Sequence, residues 1–389
     1  MPASPIRKLA PLADAAKARG IHVYHLNIGQ PDLPTPPRAI EAIRNVDLKV
    51  LAYSPSQGFR SYREKLVGYY AKYNINVTAD DIIITTGGSE AVLFAFLSCL
   101  NPGDEIIVPE PAYANYMAFA ISAGAVIRTI TTTIDEGFSL PKVEQFESLI
   151  NERTKGILIC NPNNPTGYLY TRREMNQIRD LVSKYDLYLF SDEVYREFIY
   201  TGSPYISACH LEGIQDNVVL IDSVSKRYSE CGIRIGALIT KNRDVRRAVM
   251  KFCQARLSPP LIGQIAAEAS LDDLEDYSRA TYDEYVERRK CLIDGLNLIP
   301  GVYSPIPMGA FYTVARLPVD DSERFCQWCL RDFTYEGATI MMAPAAGFYT
   351  TPGCGRDEVR LAYVLNTDDL RRALLVLRRA LEAYPGRTN

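Results

Sequence analysis

The chain has 389 residues, enough for two or three folded units at about 150 residues each; 47% hydrophobic and 23% charged residues exclude disordered, collagen-like and coiled-coil classes. Forty-three Lys and Arg against 46 Asp and Glu leave a net charge of −3, which points to no highly charged partner such as nucleic acid. No apolar run approaches the roughly 20 residues of a membrane span, and the N-terminus has no signal-peptide core. Nine cysteines, close in sequence only at Cys326 and Cys329, and three histidines suit a reducing cytoplasm and no metal centre.

In chain order, the first apolar run is Ile82–Thr85, followed by a Gly-Gly turn and the apolar segment Ala91–Leu100. Glu105–Val108 follows the Asn101-Pro102-Gly103 turn, and Gly156–Cys160 precedes a loop and the helical stretch Arg172–Lys184. Leu187–Phe190, Val218–Ile221 and Ala237–Ile239 complete the series. Short apolar runs alternating with helical patterns predict crossover units and a mostly parallel sheet buried on both faces, an α/β fold of three layers. That unit is placed at residues 50–285. Asp272–Leu298 reads as a long charged helix ending at Pro300-Gly301; strands at Gly309–Val314 and Val359–Val364 and helices at Ser322–Glu336 and Asp368–Ala383 follow. They predict a smaller α+β domain over 286–389, with residues 1–49 folding back onto it. Arg371, Arg372, Arg378 and Arg379 in the last helix read as a solvated face.

Ligands of open α/β sheets collect at the carboxyl ends of the strands, and five loops there carry unusual polar content. Thr86-Gly87-Gly88-Ser89-Glu90 opens a helix directly after a strand, where free N–H groups and close backbone approach suit an anion. Asn161-Pro162-Asn163-Asn164-Pro165-Thr166-Gly167 is a polar loop stiffened by two prolines. Ser191-Asp192-Glu193-Val194-Tyr195 ends an apolar strand, and a carboxylate there is expensive to bury without a cation. Ser223-Val224-Ser225-Lys226 closes another strand, and Gly232-Ile233-Arg234-Ile235-Gly236 places an arginine fork, suited to phosphate, between glycines.

Together these loops resemble the class I/II aminotransferases, fold-type I pyridoxal-phosphate enzymes, and the resemblance runs from Leu26-Asn27-Ile28-Gly29-Gln30-Pro31-Asp32 to Arg360. It implies the three-layer α/β/α fold of that class and pyridoxal 5'-phosphate as cofactor. The family's Schiff-base lysine falls on Lys226, and its phosphate cup on Gly88, Ser89, Ser223 and Arg234, with Tyr53 reaching across from a second subunit. The ring-nitrogen carboxylate falls on Asp192, the groups on the ring hydroxyl on Tyr195 and Asn164, and the stacking aromatic on Tyr113. Arg360 is implied to grip the substrate carboxylate, with Gly29 alongside. Two charges depart from the family pattern, Arg227 directly after the lysine and Glu230 in the same loop.

The resemblance implies ping-pong transamination between an L-amino acid and a 2-oxo acid such as 2-oxoglutarate, in a homodimer with shared active sites. Aspartate is the favoured donor; aromatic or alanine aminotransferase and a β-lyase acting on cysteine conjugates are alternatives, and a non-catalytic cofactor-binding regulator is a remote one. Aspartate needs a cation for its second carboxylate. The position where some relatives carry a lysine is Ser89, so the candidates are Arg7 and Arg256.

Overall fold

The computed structural model describes residues 4–202 and 204–388, apart from the side chains of residues 273 and 274. Its strands are β1 (His22–His25), β2 (Ile82–Thr85), β3 (Glu105–Glu110), β4 (Val126–Thr131), β5 (Thr154–Cys160), β6 (Tyr188–Asp192), β7 (Val218–Ser223), β8 (Gly236–Ile239), β9 (Tyr312–Arg316), β10 (Ala338–Met341), β11 (Ala343–Pro344) and β12 (Glu358–Ala362). Seven of them form the main sheet, in the order β2-β8-β7-β6-β5-β3-β4. Every neighbouring pair is parallel except β8, which runs antiparallel to β2 and to β7.

Strand side chains alternate between faces, and the sheet divides its apolar residues accordingly. Ile83, Ile106, Leu158, Phe190, Val219 and Leu238 pack with Val92, Phe96 and Val249 of helices Gly87–Cys99 and Arg243–Arg256. Ile82, Ile84, Ile107, Ile157, Leu189 and Leu220 pack on the other side with Leu66, Tyr70, Ile178 and Leu181 of helices Arg60–Ala71 and Arg172–Tyr185. Three layers result. The sequence reading lacked β4, whose Arg128, Thr129 and Thr131 break the apolar pattern. β4 is an edge strand with Val126 and Arg128 exposed and only Ile130 fully buried, and Arg128 donates to Glu105 of β3 at 2.8 Å.

A second core gathers the two chain ends. Strands β11-β12-β9 form an antiparallel sheet, and β1 pairs in parallel with β10, so residues 22–25 lie beside residues 338–341. Leu9, Ala13 and Ala16 of the first helix region share this core with Phe325, Leu330, Leu370 and Leu377. The helix predicted at 272–298 runs from Leu274 to Asn297, across the expected boundary between residues 285 and 286. It contributes Tyr277 to the edge of the large core and Tyr285, Leu292 and Leu296 to the small one. The helix expected to reach Glu336 stops at Arg331, and Gly337 turns the chain at φ +74° into β10. Among the described residues no helix is long and apolar enough to cross a membrane.

Candidate active site

A cavity of about 660 Å³ opens at the carboxyl ends of β2, β5, β6 and β7, and is closed from the far side by the N-terminal segment, β9 and β12. Its floor begins where β2 runs into helix Gly87–Cys99. Gly87 turns at φ +74°, and a Cβ there would lie 2.3 Å from Arg234 Nη2. That glycine is needed for the guanidinium to lie against the start of the helix. Gly88 and Ser89 line the cavity at this helix start, while Glu90 folds back to accept from Thr86 N at 2.7 Å and is absent from the lining.

Arg234 sits in left-handed backbone at φ +57° and donates only to Cys231 O, at 2.9 Å; no carboxylate meets it among the described residues. Ser223 Oγ lies 2.9 Å from Ser225 Oγ, and both serines line the cavity. A helix N-terminus, an unpaired guanidinium and hydroxyls together make a cradle that can hold a phosphate.

Lys226 follows on the short turn Val224–Arg227, and its Nζ donates to Gly29 O at 2.8 Å, with Cys231 Sγ 4.0 Å away. The two departing charges point elsewhere. Arg227 is buried beneath the site, 3.3 Å from Asp222 and from Glu197, over the Tyr69 ring at 4.1 Å. Glu230 is buried and accepts from Ser270 Oγ; burial raises its carboxyl to about 7.

Asp192, at the end of β6, accepts from Tyr116 OH at 2.6 Å and pairs with no cation among the described residues; burial raises it to about 6. Tyr195 OH lies 3.1 Å from Tyr312 OH and 3.4 Å from the Asn164 amide, and burial pushes its phenol well up, so it is protonated at neutral pH. Tyr113 stands edge-on to Tyr116, with burial raising its phenol to about 12.

Arg360 is 1% exposed. Its Nη1 donates to Asn164 Oδ1 at 3.1 Å, its Nη2 to Asn27 O, and its Nε has no partner. The Tyr312 and Phe348 rings lie 4.6 and 5.0 Å from the guanidinium carbon. No carboxylate pairs with it among the described residues, and burial draws its pKa below the usual arginine value. A buried cation without a counter-ion is costly unless a ligand supplies the anion.

Gly29, Gly88, Ser89, Tyr113, Asn164, Asp192, Tyr195, Ser223, Lys226, Arg234 and Arg360 thus line one cavity. Tyr53 does not; it is 78% exposed on the loop before helix Arg60–Ala71. Arg256 is also outside, held by Glu90 at 2.7 Å and donating to Ser56 O at 3.0 Å. Arg7 lines the cavity. Sequence reasoning missed Tyr116, Tyr312 and Asn27. Asn27 stood inside the quoted Leu26–Asp32 motif and Tyr312 inside a predicted strand, but their parts lie in a carbonyl and a cross-strand approach that residue type does not signal.

A family model described as aminotransferase class I and II matches residues 21–377. The aspartate aminotransferase of Thermotoga maritima is 32% identical over 377 residues, covering 95% of each chain. The structure of Thermus thermophilus aspartate aminotransferase with maleate superposes with a TM-score of 0.87 at 28% identity, over 98% of this chain and 97% of that one. An alanine aminotransferase from Pyrococcus furiosus reaches 0.88 at 27% identity, over 98% of both chains.

Proposed function

The chain belongs to the class I and II aminotransferases, and from that premise we propose that it transfers the amino group of an L-amino acid, aspartate favoured, to a 2-oxo acid such as 2-oxoglutarate. Pyridoxal 5'-phosphate fits the residues present. Gly88, Ser89, Ser223 and Arg234 would hold its phosphate, and Asp192, buried without a cation, would meet its protonated ring nitrogen. Asn164 and Tyr195 would hold the ring oxygen, Tyr113 would cover the ring face, and Lys226 would hold the aldehyde. When bound, the cofactor supplies an electrophilic carbon and an electron-withdrawing ring.

The chain's own groups do the rest. Arg360 binds the substrate α-carboxylate through its fork and, with Asn164 beside it, fixes which substrate bond points at Lys226. The Lys226 amine takes the proton from the substrate Cα and would pass it to the cofactor carbon that bears the transferred nitrogen, and in the second half-reaction it would carry a proton the other way, to the Cα of the new amino acid. Tyr195, kept protonated by burial, has a hydroxyl proton to donate to the ring oxygen. Donor and acceptor use the same carboxylate clamp in turn, which makes the kinetics ping-pong.

The observation that carries this reading is Arg360, a buried and uncompensated guanidinium facing the same cavity as an amine and a cation-free carboxylate. The aspartate preference is supported by the aspartate aminotransferases among the relatives. We also propose a homodimer in which Tyr53 of each copy completes the phosphate cup of the other. Its support is the set of exposed apolar side chains Leu48, Val50, Leu51 and Tyr53. The larger unit is taken as residues 50–285 and the smaller as 286–389.

The test is reconstitution with pyridoxal 5'-phosphate, an absorption spectrum, and a panel of amino donors with 2-oxoglutarate. A coloured protein that forms glutamate is expected, and Lys226→Ala is expected to lose both features. A colourless protein, or undiminished turnover by Lys226→Ala, would overturn the reading. Pyruvate and ammonia released from a cysteine conjugate without transamination would make the protein a lyase instead.

A further inference from the structure

Two runs of backbone serve the cavity with one face and a buried charge cluster with the other. Along residues 192–197, Asp192, Val194 and Tyr195 line the cavity, and Glu193, Arg196 and Glu197 do not. Along residues 222–227, Ser223, Ser225 and Lys226 line it, and Asp222 and Arg227 do not. Those five hidden groups meet behind the site, with side chains at most 8% exposed. Arg196 lies 3.0 Å from Asp222 and 3.4 Å from Glu193, and Arg227 lies 3.3 Å from both Asp222 and Glu197. None of the five has a part in the transfer chemistry described above.

The two runs converge on Asp222. Its Oδ1 accepts from Ser223 N at 2.8 Å, at the start of the lysine turn, and its Oδ2 accepts from both terminal nitrogens of Arg227 at 3.3 Å, at the end of that turn. The same Oδ2 accepts from Arg196 Nη1 at 3.0 Å, one residue beyond Tyr195, and from Tyr70 OH at 2.8 Å. Burial pushes the Asp222 carboxyl up, but Arg196, Arg227 and the Tyr70 hydrogen bond outweigh it and hold the group below its ordinary value, so it is charged. The turn Val224–Arg227 is four residues long. So short a helix is not self-supporting, and its orientation is set by what holds its ends. Desolvation cancels much of the attraction within a buried ion cluster, so stability alone is a poor account of this one.

We propose that Asp222 is a positioning residue for the proton transfer: by holding both ends of the lysine turn and Arg196 on one carboxylate, it fixes the Lys226 amine relative to Asp192 and Tyr195 while touching neither substrate nor cofactor. This role rests on the transaminase reading above and adds a residue to it. A group that moves a proton over a short gap is sensitive to its placement, and a displacement of about 1 Å costs on the order of 100-fold in rate. Arg360 stands on β12, in the other core, so its grip on the α-carboxylate does not pass through Asp222.

The experiment uses the full chain loaded with pyridoxal 5'-phosphate. Asp222→Asn can still accept from Ser223 N but no longer meets the two arginines as an anion. Asp222→Asn combined with Arg227→Gln removes opposite charges together, and replaces the single variant if urea titration shows that one unfolded. Either is expected to lower kcat with aspartate and 2-oxoglutarate by about 10- to 100-fold, with KM for aspartate within about twofold of the parent's. The pH midpoint of the colour change of the lysine-bound cofactor is expected to move by about 0.5 or more. In Lys226→Ala supplied with methylamine as the base, the same change at Asp222 is expected to alter the rate by less than about twofold, because a free amine is not held by the turn. An equal loss in that background, a loss confined to KM, or an unmoved midpoint makes the residue structural only and overturns the assignment while transamination stands. A parent that transaminates no donor overturns the broader reading, and this one with it.

Discussion

Asp192 and Glu230 are buried carboxyl groups with different surroundings, and the difference sets separate expectations. Asp192 faces the cavity, where a cationic ligand can reach it. Glu230 is 2% exposed, turned toward Ser270, with its Oε2 unpartnered. Its carboxyl is raised to about 7 from 4.5 by burial, so the folded protein holds this proton more tightly than the unfolded chain. Folding stability therefore falls as pH rises from about 4.5 to about 7, and the penalty is complete above that window. Glu230→Gln removes the titration and keeps an acceptor for Ser270. The variant is expected to be more stable than the parent at pH 8, by on the order of 3 kcal/mol at most, and to converge with it near pH 4.5. Urea denaturation of the cofactor-free protein at both pH values checks the sign.

The turn Val224–Arg227 and the start of helix Gly87–Cys99 hold the site through contacts made on their hidden sides. Asp222 Oδ2 accepts from Tyr70 at 2.8 Å, Arg196 at 3.0 Å and Arg227 at 3.3 Å, which ties the lysine turn to the segment following Asp192. Arg227→Met breaks that group from one side and leaves Glu197 short of its cation. A loss of about 3–5 kcal/mol is expected in a urea titration; a loss below about 1 kcal/mol would mean the group is not coupled. At the helix start, a Cβ on Gly236 would lie 2.5 Å from Gly87 C and 2.6 Å from Gly88 N, backbone that cannot yield, while a Cβ on Gly88 meets nothing nearer than 3.7 Å. Gly236→Ala is expected to cost about 1–3 kcal/mol of fold stability. Gly88→Ala should keep the fold and lose affinity for pyridoxal 5'-phosphate, read by cofactor titration.

These same elements explain how much was legible in advance. Strands buried on both faces, such as Ile82–Thr85 and Val218–Ser223, announce themselves as apolar runs, and the loops at their carboxyl ends carried the site. The edge strand β4 and the four-residue β1 did not, because edge exposure admits Arg and Thr, and His22-Val23-Tyr24-His25 is too short to show a period. Arg227 and Glu230 read as anomalies beside a phosphate site; only the packing reveals that both are turned toward helix and strand rather than ligand. Asn27 meets Arg360 through its carbonyl, which every residue type has, while its side-chain amide donates to Ile6 O at 2.9 Å.

At the scale of the whole chain, the cavity is finished by distant parts of the sequence. Lys8 meets Glu323 across 315 residues, and β1 lies against β10. The exposed apolar side chains Leu48, Val50, Leu51 and Tyr53 are where the proposed second copy would dock. Sedimentation is expected to give a dimer, and Leu51→Glu should shift it toward monomer with a loss of turnover; a fully active monomer would contradict the shared site. The pairing of β1 with β10 also bears on how the protein is made. At 5–20 residues per second, a ribosome leaves the first strand without its neighbour for roughly 15–60 s, with Val23, Tyr24 and Leu26 exposed to whatever binds nascent chains. The binding chamber is then sealed only when translation is nearly over, so a stalled or truncated product would carry the lysine turn yet lack the wall that closes over it.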